Sequence, residues 1–155
     1  MNVAALDLRI HYPRSIRERL AGYVHLARMI DKCRAFQAGM QGDYIYPCPL
    51  DEQLLRFAGI SSEEFSREVQ AKTDREIAEW FRTRAAAHTP SEIEAWNDMM
   101  LTIGPNTEDK WTYFKKTRDG IDPRRTDITT WADLLDLDEK RPVPRRMGAA
   151  TGGQG

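Results

Sequence analysis

Four stretches of this chain repeat one pattern, a hydroxyl residue followed three positions later by glutamate. Ser15-Ile16-Arg17-Glu18, Ser61-Ser62-Glu63-Glu64, Thr73-Asp74-Arg75-Glu76 and Thr89-Pro90-Ser91-Glu92 all have the form of a capping box. In such a box the hydroxyl and the carboxylate each satisfy a backbone N–H that the first turn of a helix leaves unpaired. Strand signals, by contrast, are few. Starts this closely spaced predict an all-α fold of five to seven short helices around a central N-terminal helix. They leave room for at most a minor β pairing near residues 43–46, where Pro47 and Pro49 remove ladder donors.

The helix boundaries follow from the same punctuation. The Ser15 box opens a helix from about Ile16 to Gln37, ending near Gly39 or Gly42, and Asp51 caps a short one through Ala58. Gly59 and Ile60 suit a Schellman stop for that short helix. The boxes at Ser61, Thr73 and Thr89 open three more, with Pro90 at a first helical position where its missing N–H costs nothing. Thr107 to Arg118 and Asp127 to Leu137 complete the set. Apolar spacing places Leu20, Tyr23, Ala27, Ile30, Phe57, Trp80, Phe81, Trp96 and Trp131 in the core. A single helical domain over 1–140 is expected, followed by a flexible tail over 141–155.

A formal net charge of −1 hides a segregated pattern: residues 1–40 hold seven basic and three acidic side chains, and residues 51–110 hold seven basic and thirteen acidic. Segregation of this kind creates a local positive field that attracts anions. The bland alternative is that the two regions pair with each other. No apolar run is long enough to span a membrane. The opening Met1-Asn2-Val3-Ala4-Ala5-Leu6-Asp7 lacks the layout of a signal peptide, and two cysteines make no disulfide framework, so a cytoplasmic location is expected.

The stretch from Arg17 to Arg34, Arg-Glu-Arg-Leu-Ala-Gly-Tyr-Val-His-Leu-Ala-Arg-Met-Ile-Asp-Lys-Cys-Arg, is long and specific. With Tyr44-Ile-Tyr-Pro-Cys-Pro-Leu-Asp51, Phe57-Ala-Gly-Ile60, Pro90 to Trp96 and Thr130 to Glu139, it resembles a bacterial family of domains of unknown function, the one numbered five thousand and sixty-nine. The resemblance spans nearly all of the chain except the tail. It implies a compact architecture and carries no mechanism. The chain departs from the family pattern at Lys140, where that pattern has Gly.

On a helical wheel the first helix shows an apolar arc too wide for a surface helix, which leaves a narrow polar window of Arg17, His25, Arg28 and Lys32. Arg28 and Lys32 are four apart and alike in charge, an arrangement that needs a compensating anion. Arg34 falls inside the apolar stripe and is expected to be buried, held by Asp31 or another carboxylate as a structural ion pair. Arg28 and Lys32 are expected either to meet Glu or Asp side chains across a helix interface or, with the window partly open, to line a small polar cleft with Tyr44 and Tyr46 as its wall. Lys32→Ala is then expected to cost little stability. Arginine forks and a lysine charge suit carboxylates and phosphates, and His25 is the side chain there able to exchange protons near neutral pH.

The usual templates fail. There is no C-x-x-C, H-x-x-x-H or E-x-x-H, so no metal is expected; no phosphate-binding glycine loop or nucleophile elbow occurs, and no cofactor is expected. Cys33 reads as a core thiol, and the tryptophans as core anchors. The function expected first is a ligand-binding or regulatory module that recognises a small anion, or an acidic segment of a partner protein, at the basic window. An enzyme with His25 as general acid or base, and Arg28 and Lys32 gripping an anionic substrate, is the alternative. Nucleic-acid binding ranks below both, because such domains are distinctly basic and this chain is not.

Overall fold

The computed structural model describes residues 4–147, and they form an all-α protein. The elements are α1 (Leu26–Gln37), α2 (Pro49–Ala58), α3 (Ser62–Ala71), α4 (Asp74–Arg84), α5 (Pro90–Thr102), α6 (Glu108–Ile121) and α7 (Trp131–Asp138). Capping sets most of their starts. Ser61, Thr73, Thr107 and Thr130 each accept the N–H three residues on. At α5 the box is reciprocal, with Glu92 N–H donating to Thr89 Oγ1 at 3.1 Å and Thr89 N–H to Glu92 Oε1 at 2.7 Å.

The chain gathers into two compact units that divide inside α5, between Ala95 and Trp96. In the first unit α1 packs on α3, and Tyr23, Ile30, Leu54, Phe65, Ile77 and Phe81 are buried. Tyr23 meets Phe81 edge-on at 5.0 Å between ring centroids. The second unit is built on Phe114, Ile128 and Leu134, with Trp111, Trp131, Leu137 and Val143 against them. Of the nine core residues read from periodicity, Tyr23, Ala27, Ile30, Phe81 and Trp96 are buried; Leu20, Phe57, Trp80 and Trp131 are partly so.

The first box does not open a helix. Ser15 Oγ accepts from Arg17 N–H instead, and α1 starts at Leu26, ten residues later than the wheel predicts. Leu20 and Tyr23 exchange both backbone hydrogen bonds, at 3.0 and 2.9 Å, across Ala21 (φ 55°) and Gly22 (φ 84°). Two positive φ values in a two-residue loop are the signature of a type I′ turn, which glycine enters at no steric cost. This isolated bridge is the β pairing of the described residues, in place of one at 43–46. His25, at φ 72°, then takes the position before α1, and its carbonyl accepts from Met29 N–H.

The segment after α7 is tied down where it is described. Arg146 donates to Asp133 at 2.7 and 2.8 Å and its N–H to Asp127 at 2.8 Å, while Arg141 pairs with Glu139. The rest of the expected tail, 148–155, lies outside the described residues.

Candidate functional site

His25, at the left-handed position before α1, and Lys32, within α1, reach the same neighbour. That neighbour is Asp51, in the first turn of α2. The Pro47-Cys48-Pro49 segment sets its position: Cys48 is the N-cap, Pro49 fills the first helical position, and Cys48 N–H donates to Asp51 Oδ2 at 2.8 Å. His25 Nε2 donates to Asp51 Oδ1 at 2.7 Å, and Lys32 Nζ donates to Oδ2 at 2.8 Å and to Cys48 Sγ at 3.1 Å. His25 and Asp51 are fully enclosed; Cys48 is half-buried and forms the outer edge of the cluster.

Burial disfavours a charged imidazole, and this outweighs the pull of Asp51, so the pKa of His25 lies below its ordinary value. Burial acts on Asp51 in the opposite direction, but the hydrogen bond and charge it receives from His25, with Lys32 beside it, hold its carboxyl below the usual range. The arrangement that fits both is an ionised Asp51 beside a neutral His25. Hydrogen bonding then assigns the imidazole proton to Nε2 and leaves Nδ1 an acceptor, enclosed and without a partner.

A second network lies on the same helix. Arg14 clamps Asp31 through Nε and Nη2, both at 3.0 Å, and reaches Asp74 at 2.9 Å. Arg34 donates to Asp74 at 2.8 Å and to the Lys72 carbonyl at 3.0 Å, and its Nε is buried without a partner. Arg28 donates to the Arg14 carbonyl at 3.2 Å and lies 5.7 Å from the centre of the Tyr44 ring.

These positions correct several expectations. His25, Arg28 and Lys32 share a side of the chain but are enclosed, at 0%, 2% and 3% exposure, so the window is not open. Lys32 is the partner of a buried carboxylate, so its removal is expected to cost stability. Arg34 is buried and carboxylate-bound as expected, but through Asp74; Asp31 belongs to Arg14, because one turn of helix is a poorer fit than the Arg14 fork arriving from the preceding segment. Tyr46 is no cleft wall: it is 8% exposed, packs near Phe36 at 6.1 Å and holds its hydroxyl buried without a partner. Tyr44 is half-buried, and Arg17 sits on the turn before α1, off the helix.

The sequence reading missed Asp51 as the hub, with Arg14 and Asp74. The available signal was the Pro-flanked cysteine with an acid three residues on, a capping box in another dress. Two surface depressions lie elsewhere. One of about 550 Å³ is lined by Gly104, Asn106, Trp111 and Thr129, and one of about 480 Å³ by Lys72, Arg75, Glu79 and Trp80. Among the described residues no cluster of His, Cys, Asp and Glu has the makings of a metal site, and no helix is long and apolar enough to cross a membrane.

The family model described as a domain of unknown function, DUF5069, matches residues 10–141. The chain belongs to that family. Comparison with curated proteins finds no match. Within the DUF5069 span lie all of Arg14, His25, Arg28, Lys32, Cys48, Asp51 and Asp74, whereas Arg145 and Arg146 fall outside it. Lys140, where the resemblance calls for Gly, has φ 62° and ends α7 in a Schellman motif, with Lys140 N–H donating to the Leu137 carbonyl and Arg141 N–H to that of Asp136.

Proposed function

We propose that this DUF5069 protein is a ligand-binding or regulatory module that receives a small anion, a carboxylate or phosphate, on the basic side of α1. What supports this reading is that one short segment, 43–49, covers both cations: Tyr44 lies over Arg28, and Cys48 lies against Lys32. The anion reaches Arg28 when Tyr44 gives up its contact with the guanidinium, and an acidic segment of a partner protein would use the same charge. The enzyme alternative draws on the 2.7 Å His25–Asp51 hydrogen bond. It is weaker, because a fully enclosed imidazole has no surface to offer a substrate. Two free cysteines agree with a reducing cytoplasm, and the family resemblance with a bacterial one.

Titration calorimetry at low salt, with inorganic phosphate and succinate as probes and sodium chloride at matched ionic strength as the control, tests the reading. Saturable binding is expected, several-fold tighter in Tyr44→Ala, where the cover is gone. Heats that do not saturate in either protein, or that chloride reproduces, overturn it.

A further inference from the structure

The Lys32–Cys48 contact joins two nucleophiles and has a consequence separate from anion binding. We propose that Cys48 and Lys32 are a covalent modification site at which hydrogen peroxide closes a sulfur–nitrogen bond between their side chains. The inference does not rest on the anion reading and is tested on ligand-free protein.

Three observations carry it. Lys32 Nζ is 3.1 Å from Cys48 Sγ, inside the separation at which reacting atoms meet without further search. The nitrogen is held there: its side chain keeps 4% exposure and donates to Asp51 at 2.8 Å. The sulfur, in contrast, belongs to a half-buried residue, so a small oxidant has a path to it that the enclosed side chains behind it lack.

The chemistry balances in two steps. Cys48 sulfur attacks one peroxide oxygen, the O–O bond breaks, and the products are Cys48 sulfenic acid and water; sulfur loses two electrons and peroxide gains them. Lys32 then gives one proton to solvent, and its nitrogen lone pair attacks the sulfenic sulfur. The S–O bond breaks, and the departing oxygen leaves as water with a second proton from nitrogen. A thiol reductant reverses the link by attacking sulfur. Closure ties segment 43–49 to α1 and removes the Lys32 charge from beside Asp51.

Cys33 supplies the internal control. It is fully buried, burial pushes its thiol pKa up, and its polar neighbour is Ser66, 3.6 Å away.

The full-length protein is treated with a small excess of hydrogen peroxide and analysed by mass spectrometry before and after trypsin. The expected result is a protein that has lost two hydrogens, and a peptide in which Lys32 is uncut and joined to Cys48. Dithiothreitol should reverse both. In Lys32→Arg the link is expected to vanish while a sulfenic-acid trap labels Cys48; Cys33 stays reduced throughout. Wild-type protein in which Cys48 gains only oxygen, or pairs with another thiol, while trypsin cuts at Lys32 as before, overturns the proposal whether or not the variant folds.

Discussion

Lys32 and Asp51 form an ion pair at 2.8 Å whose side chains keep 4% and 0% of their exposure. Neither charge can turn to water if the other is removed, and stranding one charge of a buried pair costs about 3–5 kcal/mol. Lys32→Ala should lower the unfolding free energy by about that amount in urea melts at neutral pH. A loss below about 1 kcal/mol would show that water reaches Asp51.

His25 gives the first unit a pH dependence. Its folded pKa is depressed, so the unfolded chain binds the proton first as pH falls. The stability His25 contributes is therefore complete above the ordinary histidine value of about 6.5 and declines as pH drops below it. Denaturant melts between pH 7 and 5 should show the decline. His25→Gln, which keeps a donor for Asp51 and cannot titrate, should be flatter over that range even if less stable.

Lys140→Gly should stabilise the protein. A left-handed backbone costs a residue with a β-carbon about 1 kcal/mol, and glycine escapes that cost. The expected gain is about 1 kcal/mol, read as a higher urea midpoint with an unchanged slope.

Gly104→Ala should do the reverse. A β-carbon built at Gly104 would lie 2.3 Å from the Thr129 carbonyl oxygen, and that oxygen is backbone and cannot swing aside. The Trp131 N–H to Ile103 carbonyl bond, 3.0 Å, fixes the two segments against each other there. Overpacking of this kind costs about 1–3 kcal/mol. Thermal melts of the variant give the value.

Local signals were legible where local chemistry decides. Ser61, Thr73, Thr89 and Thr107 stand at helix starts because a hydroxyl there answers an unpaired N–H, whatever the rest of the chain does, whereas the last helix, expected from Asp127, begins at Trp131 behind Thr130. The same rule failed at Ser15, where Gly22, seven residues on, lets the backbone turn left-handed, so tertiary hydrogen bonding beats helical periodicity. The wheel placed His25, Arg28 and Lys32 together; α1 does so for Arg28 and Lys32, while His25 joins them from the left-handed position before the helix. The wheel could not show that Asp51, on another helix, faces them, or that segment 43–49 covers them. Arg34 illustrates the limit: its position in the apolar stripe announced that it needs a carboxylate, but choosing Asp74 over Asp31 takes distances across forty residues of chain.

The arginines after α7 bear on where this chain can safely be cut. Asp127 and Asp133 are each 2% exposed, and their countercharges include Arg145 and Arg146, which lie past residue 141, where the family match stops. A fragment trimmed to the family boundary would keep both carboxylates and discard those cations, the Asp127 carboxyl being one whose pKa its hydrogen bond from Arg125, together with the Arg146 N–H, holds down at about 2. Such a fragment is expected to lose stability through these stranded carboxylates as well as through the absent Val143, which packs on the Phe114 cluster. The span that defines kinship is shorter than the span that balances the charges.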